Sequence, residues 1–344
     1  MTVITPGGHE IATGMLGKAI DHVFYAPFDV PLAVKRAIRS IQPDLYVGLE
    51  TELWPNLLHY VRSSGSKLVL VNGRLSDKSF PRYLKLKSLF SRVLANFQLI
   101  LTQTETDADR FRNIGAAPSI VRAVGNAKFD GTVERLTEAD IESLRNELHL
   151  SPEKSVMVVG STRTAEEERV IYNAFSEARK SRPNLSLIHA PRHIDRAVEV
   201  EALMRECGLN PIRRSLIDSN TGEVEHLILD TFGELAKVYA LADVALIGNS
   251  MTPPGGGQNL LQPLAQGVPV LYGPYMQNFR DLCAMAESAG VAKRITADAL
   301  PEAINSAIES GRNMEHAALA LIDSNRGASA RYADEMVSLM ESGR

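Results

Sequence analysis

Short apolar runs alternate with longer stretches of helical spacing along the whole chain. The runs lie at 44–49, 67–71, 99–102 and 120–124 in the first half, and at 156–160, 185–189, 227–229, 244–247 and 268–272 in the second. Runs of strand length that alternate with helices are typical of βαβ units with parallel sheets. The pattern therefore predicts an α/β protein in both halves.

The pattern also predicts where the chain divides. Residues 137–148 ("TEADIESLRNEL") have helical spacing with Thr137 as the N-cap, and 149–155 ("HLSPEKS") reads as a linker before the next strand. We expect a first domain over 1–148, a second over 154–325, and a helical segment over 326–344 that packs back on the first domain. Two such domains leave a cleft, and ligands bind outside the carboxyl ends of the strands.

Composition narrows the class of protein. The net charge of −4 does not indicate a nucleic-acid-binding protein. Cys207 and Cys283 lie far apart without metal-ligand spacing, which indicates a reducing compartment and no zinc site. Residues 74–92 hold six basic residues and one acid, interleaved with leucines and aromatics. This segment is either a surface for anionic headgroups or a solvated basic helix.

A glycine-rich segment follows the run at 244–247. It reads "GNSMTPPGGGQNLLQPLAQG" over 248–267 and predicts a strand, a loop and then a helix. Such loops expose backbone N–H groups, and a helix N-terminus favours phosphate. Amides one helical turn apart are able to hydrogen-bond a sugar. The alternative is an ordinary loop before a capped helix. The candidate residues here are Ser250, Gly256, Gly257, Gln258, Asn259 and Gln262.

Other strand ends in the second half carry polar residues as well. Ser161 and Thr162 are potential phosphate donors, and Arg192 is a potential phosphate clamp. His193 lies beside Arg192, although a single histidine is more often not catalytic. Thr231 and Glu234 have the spacing of a capping box, and capping is the favoured interpretation, although Gly233 between them also permits close approach of a ligand.

In the first half, two neighbouring strand ends carry polar clusters. Glu50 and Glu52 follow the run at 44–49, and Asn72, Arg74 and Ser76 follow the run at 67–71. Two carboxylates in this position suit a general base or an acceptor site. The alternative is a helix start stabilised by acidic residues.

Several of these segments together resemble one family. "ETELWPN" (50–56), "LVNGRLSDKSFPRY" (70–83), "GNAKFD" (125–130), "GSTRTAEEE" (160–168) and "DTFGEL" (230–235), with the glycine-rich segment, look like 3-deoxy-D-manno-octulosonic acid (Kdo) transferase. The resemblance implies a GT-B fold, with two Rossmann-like domains whose parallel sheets face a cleft. It further implies inverting transfer of Kdo from CMP-Kdo to a lipid A precursor in lipopolysaccharide biosynthesis. The implied location is the cytoplasmic face of the inner membrane, and the implied reaction uses no metal and no cofactor besides the donor.

The resemblance also implies roles for the candidate residues. Gly256, Gly257, Asn259 and Gln262 would hold the phosphate, ribose or Kdo of the donor. The CMP site would be completed by Ser161, Arg192, Gly233 and Glu234. Glu50 and Glu52 would face the acceptor, as would Asn72, Arg74 and Ser76.

The sequence departs from the family pattern at defined places. Family members begin with a membrane anchor and a first βα unit whose Gly-Glu motif supplies the base, whereas this sequence begins at what resembles the next strand. Gln258 and Gln262 stand where the family usually has His and Glu, and Arg163 stands for a usual His. Two hypotheses follow: a shortened transferase whose base is Glu50, Glu52 or a separately encoded segment, or a catalytically silent GT-B binding protein.

Overall fold

The computed structural model describes residues 1–15 and 19–342. The chain forms two units. One unit comprises residues 1–130 and 327–344, and the other comprises 131–326. The first unit is therefore built from both ends of the chain.

The first unit contains a four-stranded parallel sheet of order β3-β4-β5-β6 and a separate parallel pair, β1-β2. Its strands are β1 (Thr2–Val3), β2 (Phe24–Tyr25), β3 (Leu45–Leu49), β4 (Lys67–Gly73), β5 (Leu99–Thr102) and β6 (Val121–Ala123). Its helices before residue 131 are α1 (Pro6–Met15), α2 (Pro31–Ile41), α3 (Pro55–Ser63), α4 (Phe80–Lys85), α5 (Lys87–Leu94) and α6 (Glu105–Asn113).

Alternation along β4 explains how this sheet is covered. Leu68 and Leu70 enter one apolar cluster with residues of α2, α3, α5 and α6. Val69 and Val71 point to the opposite face, since successive side chains of a strand alternate. They pack in a second cluster with Tyr332 of the final helix. The C-terminal segment thus completes the core of the first unit.

The second unit contains a seven-stranded parallel sheet of order β13-β12-β11-β7-β8-β10-β9. Its strands are β7 (Ser155–Thr162), β8 (Leu185–Pro191), β9 (Pro211–Arg213), β10 (His226–Ile228), β11 (Val244–Ile247), β12 (Val270–Tyr272) and β13 (Ala292–Arg294). Its helices are α7 (Glu138–Glu147), α8 (Ala165–Ser181), α9 (Ala197–Glu206), α10 (Leu235–Val238), α11 (Leu261–Ala265), α12 (Arg280–Ser288) and α13 (Leu300–Asn325), and the chain ends with α14 (Ala328–Glu341) in the first unit.

The strand order of the second sheet reverses at one point. The chain starts the sheet at β7 and proceeds through β8 to one edge, and later returns beside β7 with β11 and proceeds to the other edge. In open parallel sheets, ligands bind outside the carboxyl ends of the strands at such a switch point. The place to look for a site in this unit is therefore between the ends of β7 and β11.

The parallel α/β architecture is confirmed, and each of the nine predicted runs overlaps a strand. The short strands β1, β2, β9 and β13 were not predicted. None of the described helices combines the length and the apolar character needed to cross a membrane.

The predicted domain boundary is wrong. The structure divides the chain after Asp130, so residues 131–148, including α7, belong to the second unit. The physical reason lies in two glutamines. The backbone N–H of Val133 donates to Oε1 of Gln262 at 3.2 Å, and that of Leu136 donates to Oε1 of Gln266 at 3.0 Å. A predicted linker at 149–155 therefore falls inside the second unit.

Candidate functional site

A cavity of about 240 Å³ lies at the switch point of the second sheet. We call it the switch-point pocket. Its lining residues come from the end of β7, the segment after β8, the start of α10 and the segment after β11. They are Ser161, Arg192, Gly233, Leu235, Ala236, Tyr239, Gln258, Asn259 and Gln262. Six of these were candidates from the sequence: Ser161, Arg192, Gly233, Gln258, Asn259 and Gln262.

Ser161 owes its position to a β-bulge. The register of β7 on β8 pairs Gly160 with Ala190 and Thr162 with Pro191, so Ser161 is the extra residue. Its φ of +67° is a left-handed conformation that a residue other than glycine rarely adopts. Bulges next to functional sites re-aim side chains, and strained backbone accumulates at such sites. Here the bulge places Ser161 in the wall of the pocket.

Arg192 supplies the pocket with positive charge. Its backbone N–H donates to the carbonyl of Thr162 at 2.9 Å, which ties it to the bulge. Across residues 1–15 and 19–342, its exposed guanidinium has no hydrogen-bond or ion-pair partner. A guanidinium that no carboxylate neutralises is suited to bind phosphate or carboxylate oxygens.

Tyr239 lines the pocket and packs closely against Gly160. A Cβ atom on Gly160 would lie 1.9 Å from the Tyr239 hydroxyl oxygen, so only glycine fits there. Tyr239 is buried, and burial raises the pKa of its hydroxyl. The hydroxyl therefore stays neutral over the usual pH range.

The glycine-rich segment does not offer its N–H groups as the sequence suggested. The N–H of Gly256 donates to the carbonyl of Tyr275 at 2.9 Å, and that of Gly257 donates to the carbonyl of Asn249 at 2.7 Å. Both glycines have positive φ, and a Cβ on Gly257 would lie 2.2 Å from the Met276 sulfur. These glycines are needed for the packing of the loop, and their N–H groups are not free to cradle a phosphate.

The three amide side chains differ in how far they are engaged. Gln262 accepts from the Val133 N–H and donates to the Gly131 carbonyl at 3.3 Å, so its role is to hold the chain at the unit's first residues. Asn259 Oδ1 accepts from the N–H of Leu261 at 3.0 Å, at the start of the five-residue helix α11. Gln258 is half-buried, and in the part of the chain that the structure describes its amide has no partner.

Other candidates from the second half do not line the pocket. The buried Thr162 hydroxyl bonds Glu168 and His189, which lie beneath the bulge. Ser250 is fully buried, and its hydroxyl donates to the Ile247 carbonyl at 2.5 Å. These two are structural residues, contrary to their proposed contact with a ligand.

His193 and Glu234 also lie outside the pocket lining. His193 is exposed just before a short 3₁₀ turn. Glu234 bonds the hydroxyl of Thr231 and lies 3.5 Å from Arg214. Helix α10 begins at Leu235, and Glu234 is its N-cap without a side-chain cap, so the predicted capping box is wrong.

Glu167 shapes the site and was not among the residues predicted from the sequence. Its buried carboxylate accepts from the N–H groups of Asn249, Ser250 and Met251 at 2.8, 2.7 and 2.9 Å. It thereby fixes the turn after β11. The available signal was the Thr164–Glu167 spacing, because the Thr164 side chain caps α8 by accepting from the Glu167 N–H.

In the first unit, Glu50 and Glu52 follow β3 as predicted. Glu50 has a φ of +56°, and its half-exposed carboxylate pairs with Lys128 at 3.0 Å. The carboxylate of Glu52 accepts from the indole N–H of Trp54. Two acids with different partners thus lie near one strand end.

Asn72, Arg74 and Ser76 follow β4 in this unit. Asn72 is buried with a φ of +54°, and its Oδ1 accepts from the Ala127 N–H at 3.1 Å. Ser76 Oγ accepts from the Ser79 N–H at 3.2 Å, just before α4. Both side chains therefore stabilise turns. The carbonyl of Arg74 accepts from the Thr51 hydroxyl at 2.6 Å, which links the two strand ends.

A further feature of the structure is the arrangement of side chains that are able to ligate a metal ion. Over the described residues, no group of three or more His, Cys, Asp or Glu side chains is arranged to hold a metal ion.

A solved glycosyltransferase structure from Rickettsia africae shares the fold with a TM-score of 0.63 and 12% identity, covering 100% of this chain and 90% of that chain. The two parallel-sheet units define the GT-B class of glycosyltransferase fold.

The family follows from sequence similarity. Residues 1–131 match the family model for 3-deoxy-D-manno-octulosonic-acid transferase. The 3-deoxy-D-manno-octulosonic acid transferase of Haemophilus influenzae is 31% identical over 345 residues, which covers 99% of this chain and 80% of that protein. A bifunctional glycosyltransferase/methyltransferase of Fusobacterium nucleatum is 36% identical over 285 residues, 82% of this chain and 43% of that protein. The chain belongs to the 3-deoxy-D-manno-octulosonic acid transferase family, which confirms the resemblance read from the sequence.

Proposed function

We propose that this protein transfers Kdo from CMP-Kdo to a lipid A precursor in lipopolysaccharide biosynthesis. Family membership supports the reaction class. The donor site is inferred from the switch-point pocket, which is lined by Arg192, a residue whose guanidinium has no partner among the described residues. A CMP-sugar presents one phosphate and a sugar carboxylate, and both are anions that a guanidinium binds well.

In this proposal, different pocket residues bind different parts of the donor. Arg192 binds the phosphate or the Kdo carboxylate, and the Ser161 hydroxyl donates to a second oxygen. Gln258 and the remaining donor atoms of Asn259 hydrogen-bond hydroxyl groups of the ribose or of Kdo. Gly233 has a φ of +88°, and among the described residues no neighbouring atom lies within 4 Å of the place that a Cβ would take, which leaves room for the cytosine ring.

The test of the donor site is calorimetric titration of the full chain with CMP, UMP and AMP. We expect CMP to bind more tightly than the other two nucleotides. Equal affinity for all three would remove the cytidine assignment, and no binding of any would remove the nucleotide site.

The base of the reaction belongs, in this proposal, to the first unit. Glu50 is the stronger candidate because it combines a strained backbone with a half-exposed carboxylate. Glu52 is the second candidate, since the Trp54 indole already occupies its carboxylate. Loss of a general base typically lowers the rate about 10²–10⁴-fold.

Transfer of labelled Kdo to a lipid A precursor tests this assignment. Glu50→Gln should lower the rate in that range, and Glu52→Gln should lower it less. A rate that neither substitution changes would assign the base elsewhere. We also propose that no metal ion takes part, so EDTA should leave the rate unchanged.

The acceptor is a lipid, and the segment 74–92 provides a surface that suits an anionic bilayer. Leu84, Leu86 and Leu89 are 44%, 52% and 47% exposed, and the exposed Lys85 and Lys87 alternate with them. We call these five residues the α4–α5 surface. Each basic residue near an anionic surface contributes about 1 kcal/mol. This surface supports peripheral association with an anionic bilayer, and we propose that this bilayer is the inner membrane at its cytoplasmic face.

Sedimentation with phosphatidylglycerol vesicles at low and high salt tests that location. We expect binding at low salt that salt weakens, and loss of binding in Lys85→Glu/Lys87→Glu. The exposed Lys180→Glu on α8 is the matched control. Equal binding by the double variant and the control would exclude the α4–α5 surface as the contact.

A further inference from the structure

A chain of buried polar groups lies directly beneath the switch-point pocket. His189 on β8 is fully buried, with Nδ1 2.5 Å from the Tyr172 hydroxyl and Nε2 2.8 Å from the Thr162 hydroxyl. The Thr162 hydroxyl donates to Glu168 Oε1 at 2.7 Å. Arg196 then binds both carboxylate oxygens of Glu168, at 2.8 and 2.9 Å. We call Tyr172, His189, Thr162, Glu168 and Arg196 the buried relay.

The direction of every hydrogen bond in the buried relay follows from the chemistry. A threonine hydroxyl has one proton, and Thr162 gives it to Glu168, so Thr162 accepts from His189. The Nε2 of His189 therefore carries the proton and Nδ1 accepts from Tyr172. Burial lowers the pKa of His189 to about 3, in agreement with a neutral ring that has one N–H.

The buried relay is attached to the pocket through Thr162. This residue closes the bulge that contains Ser161, and its carbonyl accepts the backbone N–H of Arg192 at 2.9 Å. Ser161 and Arg192 are pocket residues, and neither is held by a side-chain hydrogen bond of its own within the described residues. Their placement depends on the backbone, and the backbone depends on Thr162.

We propose that Thr162, His189 and Tyr172 are positioning residues, which hold the β7 bulge so that Ser161 and Arg192 face the anionic groups of the nucleotide-sugar donor. This inference rests on the proposed function for the identity of the ligand. The relay makes no contact with the ligand. Its effect is to keep a strained backbone in the one conformation that presents both pocket residues.

The substitutions that separate positioning from general stability remove one hydroxyl each. Thr162→Val deletes the group that joins the relay to the bulge, and Thr162→Ser retains it. Tyr172→Phe deletes the hydroxyl at the other end of the relay. Tyr272→Phe is the matched control, because Tyr272, on β12 of the same unit, is as fully buried as Tyr172 on α8, and its hydroxyl donates to Glu287 at 2.7 Å, away from the pocket lining.

Calorimetric titration of the full chain with CMP and the melting temperature are measured for each variant. We expect Thr162→Val to raise the Kd about tenfold or more, Tyr172→Phe to raise it several-fold, and Thr162→Ser to stay within about twofold. Tyr272→Phe should lower the melting temperature about as much as Tyr172→Phe and leave the Kd unchanged. Wild-type affinity in Thr162→Val, or an equal loss of affinity in Tyr272→Phe, would overturn the proposal.

A second measurement needs no ligand. Hydrogen exchange of the Arg192 amide reports the bond to the Thr162 carbonyl, and it should become faster in Thr162→Val but not in Thr162→Ser or Tyr272→Phe. Unchanged protection in Thr162→Val would overturn the positioning role. If the wild-type chain binds no CMP, the proposed function fails, and the exchange experiment still decides the role of the relay.

Discussion

Both units place polar residues at the carboxyl ends of neighbouring parallel strands, but the two units use them differently. In the first unit, Asn72 and Ser76 are engaged in bonds that shape turns, and Glu50 is paired with Lys128. In the second unit, buried groups such as Glu167 fix the turns, and the guanidinium of Arg192, which lines a cavity, has no partner in the part of the chain that the structure describes. A polar residue at a strand end thus indicates a ligand site only when other groups hold the backbone.

The substitution with the largest expected effect on this comparison is Glu167→Ala. It would leave three N–H groups after β11 without an acceptor, two of them buried, and each buried group costs about 1–3 kcal/mol. We expect the free energy of unfolding to fall by at least about 3 kcal/mol in urea titrations. Glu166→Ala, on the exposed face of the same helical turn, should change it little. Equal effects of the two variants would contradict the role of the Glu167 carboxylate in holding the turn after β11.

Arg192→Ala should weaken CMP binding with little change in stability. A charge-assisted hydrogen bond contributes about 1.5–3 kcal/mol, and the side chain has no protein partner to lose in the described residues. Calorimetry measures the Kd and thermal melting measures the stability. Arg205→Ala, an exposed arginine on α9 that pairs with Glu201, should leave the Kd unchanged. A loss of stability without a loss of affinity would make Arg192 a structural residue.

Asn72→Ala should show the opposite behaviour, losing stability while CMP binding is retained. The substitution removes the acceptor for the Ala127 N–H and places alanine at positive φ. We expect a loss of about 1–2 kcal/mol in the free energy of unfolding. Asn96→Ala, a partly exposed asparagine at the end of α5, is the control. A greater loss of stability in the control variant would show that the Asn72 side chain does not stabilise this turn.

The last prediction concerns how the free energy of unfolding depends on pH through two buried histidines of the second unit. Burial lowers the pKa of His189 to about 3 and that of His226 to about 4. The unfolded chain has an ordinary histidine pKa near 6.5, so between about pH 6.5 and 4 the unfolded state binds more protons and stability falls as pH falls. Each histidine should cost about 1.4 kcal/mol at pH 5.5 relative to pH 7.5.

Urea titrations at pH 7.5, 6.5 and 5.5 measure this dependence. His226→Gln should be less sensitive to acid than the wild type over this window. Stability that is independent of pH between 7.5 and 5.5 would contradict neutral buried histidines. Stability that falls only on the alkaline side would reverse the sign of the argument.

The sequence predicted the sheets because their central strands are buried on both faces. β4 and β7 each contain a continuous apolar run, and such runs are visible without knowledge of tertiary structure. The missed strands β9 (Pro211–Arg213) and β13 (Ala292–Arg294) have three residues each at the edges of the second sheet. Their pairing depends on the neighbouring strand rather than on a local pattern.

The site was only partly predictable for a related reason. Ser161 and Arg192 were found because they follow apolar runs. Thr162 was assigned to the ligand because a one-residue bulge turns neighbouring side chains to different environments, and a bulge leaves no signal in the sequence. Gly256 and Gly257 suggested open backbone, whereas their N–H groups bond Tyr275 and Asn249. Hydrogen bonds between distant segments decide such roles.

The return of α14 to the first unit has a consequence for synthesis on the ribosome. One face of the first sheet packs against Tyr332, so this face stays uncovered while residues 131–326 are translated. The side chains on it are Val69, Val71, Leu99 and Leu101. Domains whose sequence is continuous are able to fold as they emerge, at about 5–20 residues per second. The second unit has a continuous sequence and is expected to reach its native state on the nascent chain, whereas the first unit finishes folding only after translation has passed Tyr332.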